Sequence, residues 1–263
     1  MNSPFLQTLL GQGPLHPVME GLALLGLVVA VGIWVMEFSG WTISRRGFVR
    51  NGLKWNATTI AIIAVCAALY IAGRPIQIQF IPGIGGLNPS LSIAQSLAVV
   101  FGLPGAIGVT FSMPIGDAIS GALTLGSVAG CLSHTFITWI PYKFATGADL
   151  RKPLNLVTFY FWGIIVAPII HAIVIPGWLD FTHVVPPAVA WGGVTLSILT
   201  NQGLLPAILS PIYLAILYPI AIRRGLYWKQ RYGIAQEAAD EEEEADYDSA
   251  ATTTEPPPAT SKQ

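Results

Sequence analysis

Ionisable and amide side chains set within long apolar runs are where this sequence offers chemistry. Asp117 stands in Ile115-Gly116-Asp117-Ala118-Ile119-Ser120-Gly121, His134 and His171 lie inside apolar stretches, and Asn201-Gln202 adjoins another. A charge or imidazole in hydrocarbon is costly, so such a residue has either a partner or a task. Asp117 is read as a polar membrane site or as a helix-end cap beside the water layer. The two histidines are read as ligand contacts or as hydrogen bonds between helices. The Asn201-Gln202 amides suit the donor and acceptor edges of a ring. Trp178 and Trp191 nearby serve as interfacial anchors or as stacking faces. His16 and Glu20 form an HxxxE pair on one helical face, but two ligands fall short of the three or four that a metal needs, so no metal is assigned.

Several chemistries are excluded by what is missing. The sequence holds no HExxH, no GxSxG, no GxxxxGK[ST] and no paired Asp-rich motifs, so neither an enzyme nor an ATPase is expected, and no cofactor. Cys66 and Cys131 form no CxxC pair and are read as packing residues.

The elements that position these residues are membrane helices. The chain has 263 residues, 53% hydrophobic and 10% charged, with a mean hydropathy of +0.61, a balance that no water-soluble globule could bury. Nine of the fourteen acidic residues fall between Glu237 and Glu255, so the near-neutral total conceals a basic membrane body and an acidic tail. The basic residues flank apolar runs, as membrane topology requires, and do not suggest nucleic-acid binding.

Apolar runs at 18–36, 57–73, 91–102, 104–119, 126–144, 157–175 and 203–222 are read as seven spans. Phe101-Gly102-Leu103-Pro104-Gly105 is taken as a turn between two of them. That choice puts Lys143, Arg151, Lys152, Arg223, Arg224, Lys229 and Arg231 on the side of Arg45, Arg46, Arg50 and Lys54. The same bookkeeping makes 184–200 an outer loop or partly inserted segment. The expectation is an all-α transmembrane bundle in the cell membrane, N-terminus outside and C-terminus cytoplasmic. Residues 1–56 supply a first helix and basic linker, 57–235 a six-helix core, and 236–263 a disordered tail.

Ala57, Ala61, Ala64 and Ala68 follow one another at spacings of 4, 3 and 4 and share one helical face. In lipid such a stripe lets helix backbones approach closely, within the chain or with a partner. This stripe ending in Ala-Leu-Tyr, the Pro- and Gly-containing loop after it, the Phe-Gly-x-Pro-Gly turn and Ile-Gly-Asp-x-x-Ser-Gly together resemble the substrate-binding S components of energy-coupling factor (ECF) transporters. The resemblance covers about two thirds of the chain, from Ala57 to Arg224. The additional first helix and the acidic tail depart from it.

The resemblance implies a six-helix subunit that binds a vitamin or related small metabolite and docks, through the alanine motif, on a transmembrane coupling protein with two ATPase subunits. It also implies a pocket on the outer side, capped by the loop from Arg74 to Asn88. That makes Arg74, Gln77, Gln79, Asn88, His134, His171, Asn201 and Gln202 the substrate-binding candidates. Arg74 is positioned either to neutralise an anionic group or to snorkel. The competing reading is an autonomous secondary transporter or channel with Asp117 and the histidines carrying protons, although no internal repeat supports it.

Overall fold

The computed structural model describes residues 15–44, 47–74, 78–81, 85–119, 121 and 123–233. The expectations for Gln77 and for the tail from 236 onward lie outside these residues. The architecture is helical. Helix α1 (His16–Phe38) leads through the hairpin β1 (Trp41–Ser44) and β2 (Gly47–Arg50) to α2 (Ala57–Ala72). A second hairpin, β3 (Ile78–Ile81) and β4 (Gly85–Leu87), precedes a tight helical turn (Pro89–Ile93) that runs into α3 (Ala94–Phe101). Then come α4 (Leu103–Ile119), α5 (Leu125–Phe144), α6 (Pro153–Phe181) and α7 (Val189–Arg223), and one last turn at Lys229–Gly233.

Helices α1, α6 and α7 are long and apolar enough to cross a membrane. At 1.5 Å per residue, α1 alone covers about 34 Å, more than a hydrocarbon core of ~30 Å. Helices α2 and α4 are shorter, and α5 is interrupted by Ser133, His134, Thr135 and Thr138. Large aliphatic side chains face outward, among them Val28, Leu125, Leu204 and Ile208, whereas Gln95, Ser96, Thr110, Ser133, His134, His171 and Gln202 are buried. An apolar exterior around a polar interior suits lipid as the surrounding solvent.

Two expectations are corrected. Residues 189–200 form no loop: α7 begins at Val189 and continues through Asn201-Gln202-Gly203 to Arg223. Wide turns at Val189–Val194 and Leu199–Leu204 accommodate the segment, each taking an extra residue per turn. The stretch after Arg74, expected to be a loop capping the pocket, is in part a β-hairpin, with Gln79 opposite Gly86. The hairpin around residues 41–50 is a further addition to the all-α expectation.

The chain reverses at Gly102, whose φ of 65° suits glycine. A Cβ there would lie 2.6 Å from both Trp228 Cβ and the Tyr232 hydroxyl. Those aromatic residues close off α3: Trp228 Nε1 donates to Val99 O at 3.0 Å and the Tyr232 hydroxyl to Phe101 O at 3.1 Å. Helix α3 is the centre of the molecule. Every residue from Ala94 to Val100 is buried, against α4, α5 and α7.

Prolines within the helices explain how the bundle is cross-linked. A proline has no N–H, so the carbonyl four residues earlier loses its helical partner. Pro114 frees Thr110 O, which accepts from Cys131 Sγ at 3.3 Å. Pro206 frees Gln202 O, which accepts from Gln95 Nε2 at 2.8 Å. Pro211 frees Ala207 O, which accepts from the Tyr160 hydroxyl at 2.6 Å. Each bond ties one helix to another.

Candidate functional site: a polar centre joined to α2

Helix α2 starts where Asn56 caps it, the side-chain oxygen accepting from Thr59 N at 2.9 Å. Its two sides are unlike. Thr59, Ile62, Cys66 and Tyr70 are buried and face α4. Gly108 of α4 permits this approach, since a methyl group there would run into the Ile63 carbonyl oxygen and lie 3.0 Å from Cys66 Cβ. Ala57, Ala61, Ala64 and Ala68 are all exposed on the other side. The stripe is thus open to the outside rather than buried among the described helices.

The buried side of α2 leads into a polar centre. The Tyr70 hydroxyl bonds His134 Nε2 at 2.8 Å, and the His134 ring meets the His171 ring edge-on, with centroids 5.2 Å apart. The Arg74 side chain also lies near the Tyr70 hydroxyl. Arg74 ion-pairs with Asp117, and both side chains are about nine-tenths buried. The counter-ion of Arg74 is thus a carboxylate of the chain itself, and the costly charge of α4 has its partner.

From Arg74 the network continues toward α7. Asn88 Nδ2 donates to Arg74 O at 3.1 Å, and Asn88 N donates to Asn201 Oδ1 at 2.7 Å. Asn201 Nδ2 donates to Ser197 O at 2.9 Å. Gln202, next in the same wide turn, gives its backbone carbonyl to Gln95 of α3. Seven of the nine substrate or polar-site candidates from the sequence therefore lie in one network: Arg74, Asn88, Asp117, His134, His171, Asn201 and Gln202. Gln79 contributes its place in β3, and Gln77 lies outside the described residues. Sequence reasoning missed Tyr70, Gln95 and Ser96. The signal for Gln95 and Ser96 was two polar residues at the heart of the shortest apolar run.

This network is not satisfied from within. Among the described residues, Gln95 Oε1, Gln202 Oε1 and Ser96 Oγ are buried without a hydrogen-bond partner. The Nδ1 atoms of His134 and His171 are also buried without a hydrogen-bond partner among the described residues. A buried orphan acceptor costs about 1–3 kcal/mol, so two amide carbonyls without donors are the groups a hydrogen-bond-donating guest would satisfy. Two apolar cavities lie elsewhere. One of about 520 Å³ is lined by Leu150, Leu156, Leu214 and Tyr218, and the other, of about 320 Å³, by Leu27, Val31, Leu132 and Trp178. Neither touches the orphan groups.

A second polar cluster sits at the opposite end of the bundle. Buried Glu37 Oε1 accepts from Thr42 Oγ1 at 2.6 Å and from Trp139 Nε1 at 2.7 Å, and Oε2 accepts from Asn51 Nδ2 at 3.1 Å. These bonds tie α1, the first hairpin and α5 together, and they occupy both carboxylate oxygens.

Comparison of the chain with protein-family models, curated proteins and solved structures found no match. Fold and site together define a class: a helical membrane protein with an apolar exterior, a hydrogen-bonded polar interior and an exposed small-residue stripe on the helix that reaches that interior.

Proposed function

We propose that the chain is the membrane-embedded substrate-binding subunit of an ECF-type, ATP-driven importer for a vitamin or related small metabolite. The observation that carries this reading is the exposure of all four stripe alanines on the helix whose other side sends Tyr70 into the polar centre. Small residues facing lipid gain little there, but they let another helix backbone approach closely. In this reading a transmembrane coupling protein with two ATPase subunits docks on Ala57, Ala61, Ala64 and Ala68. The absence of any phosphate loop in this chain fits ATP hydrolysis by a partner.

The substrate lies among Asn88, Gln95, His134, His171, Asn201 and Gln202, with the Arg74–Asp117 pair and the β3–β4 hairpin at its entrance. The orphan amide carbonyls favour a guest rich in N–H or O–H donors. The chain crosses the cell membrane seven times, N-terminus outside. Helix order gathers Arg50, Lys54, Lys143, Arg151, Lys152, Arg223 and Arg224 at the end opposite Arg74, which supports a cytoplasmic C-terminus.

The test is co-purification of the tagged chain from its native membrane beside Ala64→Leu with Ala68→Leu. A membrane protein and two ATPases recovered with wild type and lost with the double variant, at unchanged thermal stability, is the expected result. Wild type emerging alone, with proton flux into vesicles containing only this chain, would overturn it. The Tyr70–His134–His171 contacts would then act as a proton path.

A further inference from the structure

We propose that His16, Glu20 and Asp180 form a binding site for a divalent transition metal of the Zn²⁺ class, where the start of α1 meets the end of α6. The sequence supplied two of these residues as an i, i+4 pair. Folding adds the third, 164 positions from His16.

The ligand atoms converge. His16 Nε2 lies 2.5 Å from Asp180 Oδ2 and 3.9 Å from Glu20 Oε1, and all three ligand atoms fall within 4.8 Å of one another. Four-coordinate zinc at ~2.0–2.1 Å from its ligands sets them about 3.4 Å apart, a value inside this range. An ion seated here would push His16 Nε2 and Asp180 Oδ2 apart from 2.5 Å and draw Glu20 Oε1 in from 3.9 Å. Imidazole with two carboxylates is a nitrogen and oxygen set suited to zinc and its neighbours, and too poor in oxygen for calcium.

Charge supplies an independent argument. Only five acidic residues precede the tail. Asp117 is paired with Arg74, Asp149 with Arg151, and Glu37 holds three neutral donors. Glu20 and Asp180 are instead brought together, and among the described residues no Lys or Arg pairs with either. Asp180 is 2% exposed. Two carboxylates converging at the rim of a low-dielectric bundle, with one imidazole between them, form a place for a cation.

The surroundings are built to hold the ligands. Trp191 Nε1 of α7 donates to Asp180 Oδ2 at 2.6 Å, the kind of outer hydrogen bond that orients a metal-binding carboxylate. Gly177 of α6 packs so closely on Ala23 of α1 that a methyl group there would collide with it, which fixes the spacing of the two helices below the site. His16 and Glu20 remain partly exposed, so an ion can enter and keep water in its open position. The metal would staple the extra first helix to the core.

The test uses the full chain in detergent, stripped with chelator and titrated with Zn²⁺ alone by calorimetry, with Mg²⁺ as control. The expected result is one saturable Zn²⁺ per chain, a rise in thermal midpoint on binding, and no response to Mg²⁺. Glu20→Gln is the discriminating variant, because the Glu20 carboxylate meets only His16 among the described residues and its loss leaves the metal-free midpoint unchanged. It should weaken Zn²⁺ at least tenfold, and His16→Ala should abolish binding. No saturable site, or Zn²⁺ affinity unchanged in both variants, would overturn the proposal. Neither outcome depends on transport.

Discussion

The two sides of α2 give opposite expectations for enlarging a small residue, and the contrast can be measured. At Gly108 an added methyl collides with the Ile63 carbonyl and crowds Cys66, and backbone cannot yield as a flexible side chain does. Overpacking of this kind costs about 1–3 kcal/mol. For a chain of this size ~1 kcal/mol lowers the thermal midpoint by about 2–4 °C, so Gly108→Ala is expected to lose about 4–8 °C at mid-range cost. Ala64 is exposed among the described residues. Ala64→Leu adds three carbons, yet its cost stays within about 0.5 kcal/mol, a shift of about 2 °C or less. The assay is thermal unfolding of the isolated chain in detergent, followed by near-ultraviolet circular dichroism. Equal losses in the two variants would refute the reasoning, because Ala64 would then be packed within the chain's own fold.

The proline-linked bonds give a second prediction. Tyr160→Phe removes the donor to Ala207 O and should cost about 1–3 kcal/mol, while adding Pro211→Ala, which restores an N–H to that carbonyl, should recover most of the loss; a double variant no more stable than Tyr160→Phe would show that the carbonyl does not need a donor. A third concerns the loop before α6. Hydrogen bonds from the Arg151 side chain hold Asp149 below its usual carboxylate value of 3.8. The stabilisation this gives is present above that value and is lost as pH falls through the lower folded value. Carboxyl titration followed by carbon-13 NMR should show Asp149 moving back up in Arg151→Ala, and no movement would remove Arg151 as the cause.

Much of the polar centre was legible because a polar residue in an apolar run is rare enough to be noticed singly. Arg74, Asp117, His134, His171, Asn201 and Gln202 stand out in that way. What they bond is a different question. That Arg74 would find Asp117, or His16 find Asp180, depends on how helices distant in sequence pack, and neither spacing nor composition carries that information. Tyr70 was passed over as the end of an alanine motif, though its register with Thr59, Ile62 and Cys66 places it on the buried side. The misreading before Asn201 has a local cause. Gly203 and the amides look like a chain break, but wide turns keep the helix continuous, and Gln95 satisfies the carbonyl that Pro206 leaves free. The hairpin β1–β2 was hidden because the basic residues of this stretch were read for topology alone.

Helix α2 is a rod of sixteen residues that exposes the alanine stripe on one side and buries Tyr70 on the other. Anything that tilts or rotates it from outside moves Tyr70, and with it the contact to His134. Occupancy of the two sides is then linked thermodynamically, and linkage runs equally in both directions. The factor by which a docked partner weakens the hold on a guest is the factor by which that guest weakens the docking. On the proposed function, one rigid helix would in this way make release of the cargo and docking of the partner a single equilibrium seen from its two sides.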